Sequence, residues 1–292
     1  MSQILAFDIG GTFIKYGIIS SVGQVISKGQ EETPSKEGGN GIVRLLKEIG
    51  DRLIDEQVTG IAISTAGQVD VKTGEIIHAS ELIPNFKGIN LKRELESYFH
   101  LPVEVENDAN CAALAEMWLG EAKGKETIFC LTLGTGIGGG YVAGGQLQHG
   151  AHYRAGEIGY LRIGNEKFED LATPRVLIEN VREKITSTEM DELTSEKIFE
   201  LAKSGNQVCI DAIDEMMYHL SKGISAVCYL LNPEMIVIGG GISAQREYLQ
   251  PVLEKHIKNE LLTSFVQDVT VTFSKIKNEA GMIGAVYHFM LH

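Results

Sequence analysis

An aspartate followed by two glycines and a threonine lies close to the start of the chain, at Asp8-Ile9-Gly10-Gly11-Thr12. The preceding residues from Ile4 read as a strand, so a strand delivers a carboxylate into a tight turn. Glycines let a backbone approach phosphate closely, and Mg²⁺ prefers carboxylate, water and phosphate oxygens as ligands. The motif predicts a phosphate and magnesium site, with Asp8 at the metal and the Thr12 hydroxyl as a donor. A hairpin turn with a structural aspartate is the alternative.

Further glycine-rich turns follow two other predicted strands. The run from Leu133 to Gly140 succeeds a strand at Ile128–Leu133, and it matches neither the GxxxxGK[ST] loop nor a dinucleotide fingerprint. Two such turns at equivalent positions suggest two walls around one polyphosphate. Gly239-Gly240-Gly241 offers a flat surface for an adenine ring, although a strand-to-helix turn explains it equally well.

Two more segments carry carboxylates suited to sugar chemistry. In Glu106-Asn107-Asp108, between a strand end and a helix start, Asp108 is placed to accept a hydroxyl proton and Asn107 to hydrogen-bond a sugar. Helix capping by either residue is the alternative. In Gly156-Glu157-Ile158-Gly159-Tyr160, the flanking glycines bring Glu157 toward a cavity, where a carboxylate binds two vicinal hydroxyls. A turn with a solvated glutamate is the alternative there.

The elements that position these residues follow the same plan twice. Each half opens with a strand, a glycine turn and a returning strand, so that Asp8-Ile9-Gly10 corresponds to Thr132-Leu133-Gly134. Alternating helices and strands follow in both halves, which indicates an α/β fold made of a duplicated unit, with two lobes around a cleft. We place the N-terminal lobe at 1–118, completed by a C-terminal helix at 280–292, and the C-terminal lobe at 119–279.

Apolar spacing predicts helices between the strands. Asn90 is expected to cap a helix that carries Leu91, Leu95 and Phe99 and stops before Leu101-Pro102. Further helices are predicted over Ile42–Leu53, Cys111–Gly120 and Ile210–Leu231, and a surface helix within the polar stretch Lys184–Asn206.

Charge and residue composition exclude some classes of binding partner and predict the location of the protein. The net charge of −13 argues against a nucleic-acid or anionic-membrane surface. No apolar run approaches the length that spans a bilayer, and the N-terminus shows no export signal, so a cytoplasmic location is expected. The four cysteines have no zinc-ligand spacing and are expected to be small buried hydrophobes. His149 is expected to be a surface residue.

Together these motifs resemble the ROK family of sugar kinases and related repressors, within the hexokinase–actin–heat-shock-chaperone superfamily. The resemblance covers essentially the whole chain and rests on DIGGT at Asp8, ENDAN at Glu106, LGTGIGGG at Leu133, AGEIGY at Ala155, NPEMIVIGGG at Asn232 and AGMIGAVYHF at Ala280. It implies a duplicated, two-lobed ribonuclease H-like (actin/hexokinase-like) fold with an interlobe cleft. The runs ENDANCAALAEMWLG and GAVYHF look especially like bacterial β-glucoside kinases.

The resemblance also implies a role for each motif. Asp108 corresponds to the base that activates the 6-hydroxyl of a hexose or hexose derivative of the glucose, mannose, N-acetylmannosamine or β-glucoside type. Asp8 corresponds to the carboxylate linked to Mg²⁺, directly or through water. The positions implied to line ATP are Gly10, Gly11, Thr12, Thr135, Gly136, Gly239, Gly240 and Gly241. The positions implied to contact the sugar are Gly67, Asn107, Asp108, Glu157, Tyr160 and Glu169.

The chain departs from the family pattern at two places. Tyr160 stands where many members carry a histidine that binds zinc and sugar, and the segment Gly164–Leu171 lacks the cysteines of the family's zinc loop. No zinc site is therefore expected. A tyrosine stacks on a sugar ring or an aglycone, which favours an unusual hexose derivative or a glycoside.

Two functional alternatives stay open beside an ATP-dependent sugar kinase. One is a non-catalytic sugar-binding regulatory protein of the same fold, although both Asp8 and Asp108 are present. The other is a phosphatase or acetate-kinase-like enzyme of the superfamily. The family's repressors carry an N-terminal helix-turn-helix, for which the early strand at Ile4 is expected to leave no room. The family tendency also predicts a homodimer.

Overall fold

The chain folds into two compact units, each built on a five-stranded mixed sheet. The structure, a computed structural model, describes residues 2–79, 83–185, 193–276 and 278–292. Unit 1 comprises Met1–Lys123, Leu147–Ala155 and Asn278–His292, and unit 2 comprises Gly124–Gln146 and Gly156–Lys277. No helix within the described ranges is long and apolar enough to cross a membrane.

The sheet of unit 1 begins with the predicted hairpin. Its strands are β1 (Gln3–Ile9), β2 (Phe13–Ser20), β3 (Val25–Glu32), β4 (Val58–Thr65) and β7 (Val103–Asn107), in the order β3-β2-β1-β4-β7, with a separate ribbon of β5 (Gln68–Asp70) and β6 (Glu75–His78). β1 runs antiparallel to β2 and parallel to β4, and β4 runs parallel to β7. Parallel pairing brings the carboxyl ends of β1, β4 and β7 to one edge of the sheet.

Four helices of unit 1 cover this sheet: α1 (Gly38–Leu53), α2 (Leu91–Phe99), α3 (Asp108–Trp118) and α9 (Ala280–Met290). Leu46 of α1 and Leu91 of α2 are fully buried in the core with Phe7 of β1. α3 and α9 approach very closely, because a Cβ on Gly284 would lie 1.7 Å from the Cys111 carbonyl oxygen. Only glycine permits this contact.

The sheet of unit 2 repeats the plan. Its strands are β8 (Ile128–Leu133), β9 (Ile137–Ala143), β10 (Gln146–Leu147), β13 (Met235–Gly239) and β14 (Thr270–Phe273), in the order β10-β9-β8-β13-β14, with a separate ribbon of β11 (Arg162–Ile163) and β12 (Glu166–Lys167). β8 pairs antiparallel with β9 and parallel with β13, as β1 does with β2 and β4. The predicted duplicated α/β fold is thus present in the strand order of both sheets.

The helices of unit 2 are α4 (Pro174–Lys184), α5 (Ser195–Lys203), α6 (Gln207–Leu231), α7 (Arg246–Glu260) and α8 (Thr263–Asp268). α6 contributes Met217, Leu220 and Ile224 to a core that is separate from that of unit 1. The predicted surface helix within Lys184–Asn206 forms as α5, while residues 186–192 of that stretch lie outside the described residues.

Helix ends follow local chemistry. The Asn90 side chain accepts the Arg93 amide at 2.8 Å and starts α2, as predicted, and the helix ends at His100 in a left-handed conformation. The predicted start of α3 at Cys111 was wrong, because the helix begins at Asp108 with Asn107 as its cap. All four cysteines are buried and free, as expected.

Candidate active site

Asp8 projects near the end of β1 and is held on three sides within unit 1. Ser64 Oγ donates to Asp8 Oδ1 at 2.8 Å, and Lys15 Nζ lies 3.5 Å from Asp8 Oδ2. Gly281, in the first turn of α9, passes so close that a Cβ there would lie 2.4 Å from Oδ1. The amino-terminal turn of α9 therefore lies against a partly exposed carboxylate.

The glycine turn after Asp8 is braced from one side and open on the other. The Gly10 amide donates to the Phe13 carbonyl at 3.0 Å, and Thr33 Oγ1 donates to the Gly10 carbonyl at 2.7 Å. Gly11 and Thr12 are exposed. The turn thus leaves its tip available to a ligand, as a phosphate site requires.

Asn107 is the central connector of the base motif. Its Oδ1 accepts the amides of Ala109 and Asn110 at 2.9 and 3.2 Å, which caps α3. Its Nδ2 donates to the Gly67 carbonyl at 2.9 Å and to Asp108 Oδ1 at 3.0 Å. Asn107 therefore caps the helix, as the structural alternative holds, and also orients Asp108. Its hydrogen bond to a sugar stays a prediction.

Gly67 is the glycine that its position demands. Its φ of +99° lies in the left-handed region, and a Cβ there would lie 2.5 Å from the His78 carbonyl oxygen. A side chain here would push the Gly67 backbone away from His78. The Gly67 carbonyl, which accepts the hydrogen bond from Asn107 Nδ2, would then be displaced. Gly67 thus holds the motif through its backbone.

The two oxygens of Asp108 have different environments. Oδ1 accepts from Asn107 Nδ2 and from the Ala109 amide, whereas Oδ2 has no hydrogen-bond partner among the described residues. The residue is open to solvent, yet protein atoms crowd its carboxyl group. Loss of hydration and, secondly, the charge of Asp8 raise the pKa of Asp108 to about 6. One oxygen is fixed and the other is available, as a general base requires.

Glu106 is a buried carboxylate whose role the motif did not reveal. Its side chain is 1% exposed, and its Oε2 accepts from His149 Nε2 at 2.6 Å. Burial opposes its ionisation, but the His149 hydrogen bond and the charge of His288 lower the pKa of Glu106. The expectation of a surface His149 was wrong, because tertiary folding of Leu147–Ala155 into unit 1 brings it to Glu106. No sequence spacing signals this contact.

Lys15 is a further candidate residue that none of the motifs contains, although the hairpin register indicates it. A tight turn at Gly10–Thr12 pairs Ile9 with Ile14, which places Lys15 directly opposite Asp8. The ion pair with Asp8 follows from that register.

In unit 2, two glycine turns meet at one sheet edge. The predicted phosphate turn Gly134–Gly136 joins β8 to β9, and Gly239 at the end of β13 pairs with Thr132 of β8. Gly240 has a φ of +95°, and a Cβ there would lie 2.1 Å from the Leu133 carbonyl oxygen. The predicted adenosine and phosphate segments of this unit, including Thr135 and Gly241, are therefore neighbours.

The predicted sugar carboxylates of unit 2 collect beside β9. Gly156, with a φ of +90°, packs so tightly that a Cβ would lie 2.0 Å from the Gly139 carbonyl oxygen. This contact fixes the backbone position from which Glu157 follows. Cβ atoms added at Gly136 and Gly159 would lie 2.8 and 3.2 Å from Glu169 Oε2. Glu169 thus lies against both the predicted phosphate turn and the segment Gly156–Tyr160, which is predicted to contact the sugar.

Tyr160 presents an accessible aromatic ring next to these carboxylates. It is 56% exposed, and Lys167 Nζ lies 5.2 Å from its ring centroid and 3.9 Å from Glu169 Oε1. Partial burial, then the charges of Glu169 and Glu157, raise the pKa of the Tyr160 phenol. A largely exposed, uncharged phenol suits contact with a sugar or aglycone.

Asp8 is the residue predicted to hold a metal ion. No group of three or more His, Cys, Asp or Glu side chains suited to a metal ion occurs in the part of the chain that the structure describes. Mg²⁺ is commonly held by one or two carboxylates together with substrate phosphates and water. A single accessible carboxylate beside an open glycine turn fits that mode.

The chain is similar in sequence and structure to known sugar kinases of one family. The sequence model of the ROK family matches residues 4–290. A β-glucoside kinase of Listeria monocytogenes is 36% identical over 99% of this chain and 97% of its own length, and a glucokinase of Halalkalibacterium halodurans is 31% identical over 95% and 92%. A ROK family glucokinase from Streptomyces griseus, solved with glucose and AMPPNP, superposes with a TM-score of 0.86 at 27% identity, covering 98% of both chains. The chain belongs to the ROK family.

Proposed function

We propose that the protein is an ATP-dependent sugar kinase that transfers the γ-phosphoryl group to the 6-hydroxyl of a hexose or hexose derivative. The observation that carries the proposal is the Asp108 carboxyl group, with one oxygen held by Asn107 and Ala109 and a pKa raised to about 6. A base of this pKa is largely ionised at neutral pH and still accepts a proton from a reacting hydroxyl. The ROK kinases to which the chain is similar support the same assignment.

The residues of unit 1 supply the proton transfer and part of the charge stabilisation. Asp108 Oδ2 accepts the proton of the attacking hydroxyl, while Asn107 fixes the carboxylate. Both Nδ2 hydrogens of Asn107 already donate within the protein, so its proposed contact with the sugar shares one of these hydrogen bonds. Asp8 would hold Mg²⁺ together with ATP, and the bound ion would neutralise charge on the phosphates. The exposed tip at Gly11-Thr12 offers backbone and hydroxyl donors to phosphate oxygens.

We also propose roles for residues of unit 2. Thr135 and Gly136 are proposed to line the phosphates, and Gly239, Gly240 and Gly241 the adenosine. Glu157 and Glu169 are proposed to accept hydrogen bonds from sugar hydroxyls, since ionised carboxylates only accept. The accessible ring of Tyr160 favours a substrate with a group beyond the sugar ring, so we propose a β-glucoside as the substrate class.

The test is sugar-dependent ADP release over glucose, mannose, N-acetylmannosamine and β-glucosides, with wild type and Asp108→Asn. We expect release with at least one sugar, and a loss of at least about 100-fold in the variant. Unchanged binding of an ATP analogue by the variant is the control for its fold. Substantial turnover by Asp108→Asn removes the base role, and no release with any sugar favours a sugar-binding regulator. Homodimer formation and a cytoplasmic location stay predictions.

A further inference from the structure

Glu106 makes an unusual set of contacts for a side chain with 1% exposure. Its Oε1 accepts the Asn107 amide at 2.7 Å and Asn110 Nδ2 at 2.9 Å. Its Oε2 accepts His149 Nε2 at 2.6 Å, with His288 Nδ1 at 3.7 Å. A buried carboxylate is costly unless its oxygens are satisfied, and here each oxygen serves a different part of unit 1.

The first oxygen acts on the base motif. By holding the Asn107 amide and the Asn110 side chain, it fixes the junction between β7 and α3 on both sides of Asp108. Asn107 in turn holds Asp108 Oδ1 at 3.0 Å. The orientation of Asp108 therefore depends on Glu106 through one intervening residue.

The second oxygen acts on the segment Leu147–Ala155. His149 must donate through Nε2, because an ionised carboxylate accepts only. The Ala155 amide donates to the His149 carbonyl at 3.1 Å, and the Tyr153 ring makes an edge contact with the His149 ring, so this segment closes into a loop around His149. The residues that follow directly in the chain are Gly156 and Glu157.

We propose that Glu106 and His149 form a buried positioning pair, which orients the base motif and anchors the loop that leads to Glu157. This inference rests on the proposed kinase function. Both residues are proposed to act through Asn107, Asp108 and the end of the loop. The pair therefore supports sugar contacts, and the ATP-contacting turns lie outside its network of contacts.

The test compares two amides that differ by one methylene. In His149→Gln the amide nitrogen reaches about as far as Nε2 and donates to Glu106, whereas in His149→Asn the side chain is too short. The matched control is His256→Asn, because His256 Nε2 also contacts a carboxylate, Asp214 Oδ1 at 3.1 Å, within unit 2. Sugar KM, ATP KM, kcat and Tm are measured for all three.

We expect His149→Asn to lower kcat/KM for the sugar by about 10- to 100-fold, because small displacements of positioned groups cost rates of this order. ATP KM should stay within about 2-fold of wild type, His149→Gln should restore most of the loss, and His256→Asn should leave sugar kinetics unchanged. Equal losses in both His149 variants, a parallel rise in ATP KM, or wild-type kinetics in His149→Asn would overturn the inference. Absence of turnover in wild type would overturn the proposed function as well.

Discussion

Asp108 is exposed to solvent, and protein atoms also surround its carboxyl group. Its carboxyl group is open to a substrate, while surrounding protein and Asp8 raise its pKa to about 6. Because the folded state holds this proton more tightly than the unfolded chain, the group favours folding most below its ordinary pKa of 3.8, and that contribution is lost as pH rises through about 6. Rising pH therefore favours the proposed base function of Asp108 and removes the contribution of this group to stability.

A pH series on wild type and Asp108→Asn separates these effects. We expect wild-type kcat/KM to fall on the acid side with an apparent pKa of about 6, since the protonated base cannot accept the hydroxyl proton. The Tm of the variant should exceed that of wild type by a few degrees at pH 8, on the order expected for a modest change in stability. The difference should shrink toward pH 4. A Tm difference that does not change with pH would contradict the raised pKa.

Tyr160 is the residue on which we expect the substrate class to depend. Replacing it with the histidine of many family members should lower kcat/KM for a β-glucoside relative to glucose by about 2- to 10-fold, as expected for one aromatic stacking contact. Tyr160→Phe keeps the ring and should keep the preference. Rates measured with cellobiose and glucose check this, and an unchanged ratio in Tyr160→His would mean that the ring does not contact the aglycone.

At the scale of elements, a backbone contact between two glycines sets the position of Gly156–Tyr160, the segment predicted to contact the sugar. Gly156 and Gly139 meet so closely that β9 and the residues before Glu157 have no room for a side chain between them. The spacing of AGEIGY indicates a turn but does not show what the turn packs against. Close packing, rather than loop flexibility, therefore explains these glycines.

Alanine at two glycines of unit 2 distinguishes strain from overpacking. Gly164 has a φ of +64° and open space around its Cβ position, whereas Gly156 has a φ of +90° and a contact at 2.0 Å. Gly164→Ala should cost about 1 kcal/mol from backbone strain alone, and Gly156→Ala about 3 kcal/mol or more, with a raised sugar KM. Urea unfolding measures both. Equal costs would show that the contact with Gly139 relaxes easily.

At the scale of the whole molecule, each unit has its own apolar core. Leu46 belongs to the core of unit 1 and Leu220 to that of unit 2, and both are fully buried. Each core is built by one copy of the repeated sheet with its own helices. Local opening of one unit should therefore depend first on its own core.

Leucine-to-alanine changes in the two cores provide the test. Leu46→Ala and Leu220→Ala should each cost about 2–5 kcal/mol, because each leaves a cavity in a packed core. Hydrogen exchange should rise mainly in the unit that carries the substitution. An equal rise in both units from either variant would show that the whole chain opens as a single cooperative body.

Much of the fold was predictable from the sequence. The hairpin with its glycine turn, the buried strands β4 and β13 and the capped helix α2 depend on local periodicity, turn residues and capping, which are properties of short segments. The duplication is visible in the sequence because the same series of motifs occurs twice. The two sheets show the corresponding strand order. The predicted start of α3 was three residues too late, because Asp108, a candidate catalytic residue, is also the first residue of the helix.

By itself, the sequence determined which residue types are available for the proposed phosphate, base and sugar chemistry, and the order of the elements that carry them. Tertiary structure decided how these groups are tuned. The raised pKa of Asp108 and the Glu106–His149 pair arise from burial and from residues far apart in the chain. Hydration loss and charge proximity depend on three-dimensional distance, so no local pattern encodes them.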